Sequence, residues 1–123
     1  MRDMDLVSVS GVERSLQSLR LRMTIPLACV ITAIPAAERD EHSRVTRYLL
    51  ANASDIQEAQ NGFAFQLSAD DYDAACHFIA RERLCCPFLR FALEVTPAGG
   101  PVTLHIDGPA GAKEFLRAEL QLP

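Results

Sequence analysis

An α+β fold, with an antiparallel sheet carrying helices on one face, is what three features of this sequence predict. Apolar residues alternate with polar or small ones at 63–67, 89–95 and 102–107, the two-residue period of strands buried on one side. Stretches with helical spacing lie before these strands, at 36–51, and between the first two, from Ser68 to Pro87. The dipeptide Asn61-Gly62, favoured in type I′ hairpin turns, separates two short strand-like arms.

A chain of 123 residues makes one domain rather than two. With 49% hydrophobic and 23% charged residues it has the profile of a packed globular protein, not a disordered one. Residues 1–22 read as an N-terminal extension, because Ser8, Ser10, Gly11 and Ser15 break any strong pattern; residues 23–123 read as the single α+β domain. The net charge of −4 argues against a nucleic-acid partner, which needs a basic surface. No window approaches the roughly 20 apolar residues that span a bilayer. Two acids in the first five residues, with no cleavage site after them, speak against a secretory signal. The expected compartment is the cytoplasm, with four reduced cysteines and no disulfide framework.

The elements follow in order. Residues 25–34 are almost continuously apolar, with β-branched Val30, Ile31 and Thr32 at the centre, and predict a strand buried on both faces. After Pro35, a helix over 36–51 carries Val45, Tyr48 and Leu49 on its apolar face. The hairpin arms are 56–60 and 63–67, with Phe63, Phe65 and Leu67 pointing one way. Ser68 and Asp71 resemble a capping box that opens a second helix, whose stripe is Tyr72, Ala75, Cys76 and Ile79 with Phe78 on its flank. Pro87 ends it, since the residue before a proline is pushed out of the helical region. Two strands, Leu89–Val95 and Val102–Asp107, flank a Pro97-to-Pro101 turn. Gly108-Pro109 starts a last helix with Phe115, Leu116 and Leu120 inward. The order is βαββαβ with an appended βα, and its first six elements match a ferredoxin-like arrangement.

The cysteines carry the sharpest chemistry. Cys85 and Cys86 stand side by side at the end of the second helix. Their Cα atoms can be only about 3.8 Å apart, short of the roughly 4.4 Å a relaxed disulfide needs, so the pair reads as two free sulfurs facing one soft electrophile. Adjacent spacing fits a zinc site poorly, and no CxxC or HxxxH accompanies it. Thiolates select soft ions such as Cu(I), and by extension Hg(II) or As(III). Cys29 reads either as a core residue or as a third sulfur ligand; Cys76 reads as a small core hydrophobe. A thioredoxin-type role is disfavoured, because the pair sits at a helix C-terminus, where the dipole opposes a thiolate.

Glu82 lies one turn before Cys86 and reads either as a solvated surface charge or as a proton donor to a leaving group. His42, at the edge of the first helix's stripe, reads as a border histidine bonded to backbone or as a ligand. His77 and His105 converge with nothing visible.

The run Glu82-Arg83-Leu84-Cys85-Cys86-Pro87-Phe88-Leu89-Arg90-Phe91 resembles a family of small bacterial proteins marked by E-R-x-C-C-P-F-x-x-F. Gly100-Pro101-Val102-Thr103-Leu104, Gly108-Pro109-Ala110-Gly111 with Phe115-Leu116, and Asn61-Gly62-Phe63-Ala64-Phe65 are similar to its other segments. Cys29 falls where its strand cysteine is expected. The match spans about residues 25 to 120. Similar double-cysteine segments occur beside or fused to MerR-type regulators, many of them metal-responsive. The resemblance therefore implies a thiol-bearing sensory or accessory module.

The leading expectation is a protein that binds a soft metal, metalloid or other thiophilic ligand through Cys85 and Cys86, with Cys29 joining. One rival is a thiol-dependent organometallic lyase in which Glu82 protonates the departing carbon. The other is a non-catalytic module that forms a homodimer through an exposed sheet face.

Overall fold

The computed structural model describes residues 26–123. The extension expected at 1–22, and the domain boundary beside it, lie outside the described residues. Three helices and four strands follow one another: α1 (Arg39–Asn52), β1 (Asp55–Ala59), β2 (Gly62–Leu67), α2 (Tyr72–Cys85), β3 (Arg90–Val95), β4 (Val102–Asp107) and α3 (Ala112–Glu119). The strands form one antiparallel sheet in the order β1-β2-β4-β3.

The α+β class and the antiparallel sheet are as the sequence predicts. The strand expected over residues 25–34 is not formed: the described part holds a 3-10 turn at Ile31–Ala33, and Leu27, Val30 and Ile31 are exposed. Pro26 and Pro35 bound this stretch and offer no N–H to a ladder, so an apolar run alone does not make it a strand. In a βαββαβ sheet the first strand sits between the third and the fourth. Here β4 takes that place, pairing β2 on one side and β3 on the other.

Alternation places the core. Phe63, Phe65 and Leu67 of β2, with Val102, Leu104 and Ile106 of β4, are buried on the inner face under the helices. Each large apolar side chain so buried stabilises by about 1.5–3 kcal/mol. The other face is polar, with Thr103 donating to Gln66 Oε1 at 3.1 Å and His105 Nε2 3.3 Å from Glu94. In β3 the expected inward set weakens toward the end: Phe91 and Leu93 are half-buried, and Val95 is exposed.

The hairpin forms one residue earlier than the sequence suggests. Ala59 pairs with Gly62, so the loop residues are Gln60-Asn61. Gly62 serves a different need, since a Cβ there would run into the Ile106 carbonyl and Asp107 of β4. Pro109 precedes α3 by a turn rather than opening it. Gly111, at φ 94°, is the residue that leads into the helix.

Helix α2 is rotated relative to the expected stripe. Its buried residues are Ala75, Phe78, Glu82 and Cys85, while Tyr72 is exposed. Ser68 does cap the entry, accepting from the Asp70 N–H at 3.1 Å, but Asp71 instead accepts from the Tyr48 hydroxyl at 2.6 Å. This rotation carries Glu82 into the interior.

Candidate metal centre

Three sulfurs meet where α2 ends. Cys85 is its last residue, and Cys86 leaves the helix at φ −120°, ψ 77°, with its N–H still bonded to the Glu82 carbonyl at 2.7 Å. Pro87 enforces that exit. The break turns both adjacent side chains inward, so Cys85 is 5% exposed and Cys86 fully buried. The preceding segment is pinned beside them by a hydrogen bond from the Val30 N–H to the Cys85 carbonyl, 2.7 Å. That bond delivers the neighbouring Cys29.

Cys29, Cys85 and Cys86 thus form one cluster, their sulfurs all within 4.8 Å of one another. Cys85 Sγ and Cys86 Sγ are 3.9 Å apart. A metal–thiolate bond of about 2.3 Å in tetrahedral geometry separates two sulfurs by ~3.8 Å, so this spacing suits a shared soft ion. Cys29 and Cys86 are paired with each other as a disulfide, with Cα atoms 4.8 Å apart, inside the normal range. Four reduced thiols are therefore not what the structure holds. Only Cys76 and Cys85 are free, and Cys76, half-buried, is outside the cluster. Sequence spacing could not show this pairing, because the partners are 57 residues apart.

Glu82 and His42 adjoin the sulfurs. Glu82 is 6% exposed and its Oε2 lies 3.4 Å from Cys86 Sγ; when Cys86 is a thiol it can donate there. The other carboxylate oxygen, Oε1, is 2.7 Å from His42 Nε2. His42 is itself buried, stacks on Phe78 at 5.6 Å between ring centroids, and its Nδ1 has no partner among the described residues. The solvated-charge reading of Glu82 and the backbone-bonded reading of His42 are both corrected. The missed signal was periodicity: positions 75, 78, 82 and 85 share a helix face, which sets a carboxylate inside an apolar stripe. His105 lies on the outer sheet face, 3.3 Å from Glu94 and away from the sulfurs. His77 lies apart from the cluster, with a buried Nε2 that has no partner among the described residues.

Burial pushes the Cys85 thiol above its ordinary pKa, the Glu82 carboxylate adds to the effect, and the Val30 N–H opposes it. Cys85 also borders a cleft of about 370 Å³, shared with His42, Glu82, Thr46, Leu50 and Leu120. In chemical terms the site offers one free thiol, two thiols that reduction would release, and a buried acid with its histidine. No family model, curated protein or solved structure matches this chain.

Proposed function

We propose that this protein binds a soft metal or metalloid ion, such as Hg(II), As(III) or Cu(I), through Cys85, Cys86 and Cys29. The observation that carries the reading is the convergence of three cysteine sulfurs within 4.8 Å, two of them on buried residues. Soft ions prefer thiolates, and the trio meets the three-sulfur demand of As(III) or Hg(II) without further ligands. Binding requires the Cys29–Cys86 bond to be opened by a thiol reductant, which supplies two electrons and two protons. A bound cation then offsets what disfavours the Cys85 thiolate, namely burial, the Glu82 charge and the C-terminal end of α2. The resemblance of residues 82–91 to the double-cysteine family agrees with a role as accessory to a heavy-metal response.

The test is a native mass spectrum of reduced protein titrated with Hg(II), As(III), Cu(I) and Zn(II), beside Cys85→Ser/Cys86→Ser. One soft ion per chain, lost in the variant, supports the reading. Uptake that ignores the variant would refute it.

Buried Glu82, 3.4 Å from Cys86 and backed by His42, favours a second reading, an organometallic lyase. The thiolates hold the metal of an organometal, and the metal–carbon bond breaks with its electron pair on carbon. The proton from Glu82 goes to that carbon, releasing hydrocarbon and leaving the ion on sulfur. Hydrocarbon released by wild type but not by Glu82→Gln, with metal still bound, is the expected outcome. Absence of hydrocarbon from methyl- and phenylmercury alike would end this second reading.

A further inference from the structure

The three sulfurs account for an ion but not for the space beside it. The cleft that Cys85 borders holds about 370 Å³, within the roughly 300–1,000 Å³ of sites that take organic ligands. An ion held by three thiolates fills only a small fraction of that. The lining is divided in character. Ile31, Leu50 and Leu120 contribute apolar surface, and Glu82, Arg47 and Glu119 contribute charged groups. Of the three clustered cysteines only Cys85 borders the cleft. The His42 Nδ1 is buried and has no hydrogen-bond partner among the described residues.

We infer that the site also takes, beside the bare ion, a soft metal or metalloid carrying an organic group, an aryl or branched alkyl substituent that occupies this cleft. The inference rests on the thiol-binding reading above and names its substrate class. Valence supports the arrangement. Trivalent arsenic with one carbon substituent has two bonds left for sulfur, and Cys85 and Cys86, 3.9 Å apart, supply them once Cys86 is reduced. The As–O bonding of an arsine oxide is replaced by two As–S bonds, the two thiol protons leave with the oxygen as water, and arsenic stays trivalent. The organic group then projects past Cys85 into the cleft, and Cys29 is needed only for an ion without a substituent.

The probes are arsenite, methylarsine oxide and phenylarsine oxide, titrated into the reduced full-length chain by calorimetry. Each affinity is taken relative to that for a small dithiol. The wild type should favour phenyl over methyl by about tenfold or more, because apolar area is buried in the cleft. Ser43→Trp or Arg47→Trp, at exposed positions on the cleft rim, should erase that preference while arsenite binds as before. Cys29→Ser should weaken arsenite and spare phenylarsine oxide. Normal arsenite binding with no phenyl preference, or a preference that survives both tryptophan variants, would overturn the inference and leave the ion site standing. Failure of all three probes to bind would remove the ion site and this inference together.

Discussion

His42 Nε2 and Glu82 Oε1 lie 2.7 Å apart with both residues at least nine-tenths buried, joining α1 to α2 directly behind Cys86. The bond satisfies a carboxylate that the rotation of α2 forces inside. Truncating the histidine strands that carboxylate, at a cost of about 1–3 kcal/mol for a buried polar group and more if it stays charged. His42 also stacks on Phe78, so its loss opens a hole beside the core. We expect His42→Ala to lower the unfolding free energy by at least ~2 kcal/mol in urea titrations. Glu82→Gln, which keeps a hydrogen-bonding oxygen, should cost less than half as much. A neutral His42→Ala would mean that the pair is not formed in solution.

Cys29 joins Cys86 across 57 residues, and the entropy of closing such a loop corresponds to about 4 kcal/mol. Oxidised wild type should exceed oxidised Cys29→Ser in stability by an amount of that order, and reduction should abolish most of the difference. Ion uptake should follow the opposite course, absent in the oxidised protein and restored by reductant. Equal uptake in both states would show that the Cys29–Cys86 bond does not control the site.

The Cys85 thiol, held above its ordinary pKa by burial and then by Glu82, should react slowly at neutral pH. In oxidised Cys76→Ser only Cys85 is free, so its alkylation by iodoacetamide reads one group. The midpoint should lie above the ordinary thiol value of about 8.5. The sign for stability follows from the same direction. The folded state holds this proton more tightly than the unfolded one, so the contribution is full below the unfolded pKa and is lost as pH rises through the folded value. A midpoint at or below the ordinary value would contradict the buried placement.

Gly62 faces the backbone of β4 too closely for any side chain. Gly62→Ala should therefore destabilise by about 1–3 kcal/mol, as overpacking does. Asn61→Ala, in the loop, should cost much less. Similar effects of the two would indicate that Gly62 acts through the turn instead of through the approach of β4.

The strands of the central hairpins were legible because Phe63, Phe65 and Leu67, and then Val102, Leu104 and Ile106, alternate in a way only a one-sided sheet satisfies. The stretch 26–34 was not, because an apolar run carries no information about whether a neighbouring strand offers an edge. Here that edge belongs to β4, reached by a short local hairpin instead of a long crossover. The candidate site was legible in part. Cys85, Cys86 and Cys29 do converge, and Glu82 does sit one turn from Cys86. What stayed hidden was depth and partnership. His42 meets Glu82 across 40 residues, and Cys29 meets Cys86 across 57, and no local pattern encodes either contact.

The central claim is that three cysteine sulfurs act on one soft ion. X-ray absorption at the arsenic edge, on reduced protein loaded with one equivalent of As(III), counts the sulfurs bound to that ion. The account predicts a single shell of three sulfurs in wild type and two sulfurs plus a lighter atom in Cys29→Ser. An arsenic bound mainly by oxygen, or a sulfur count unchanged by Cys29→Ser, would contradict it.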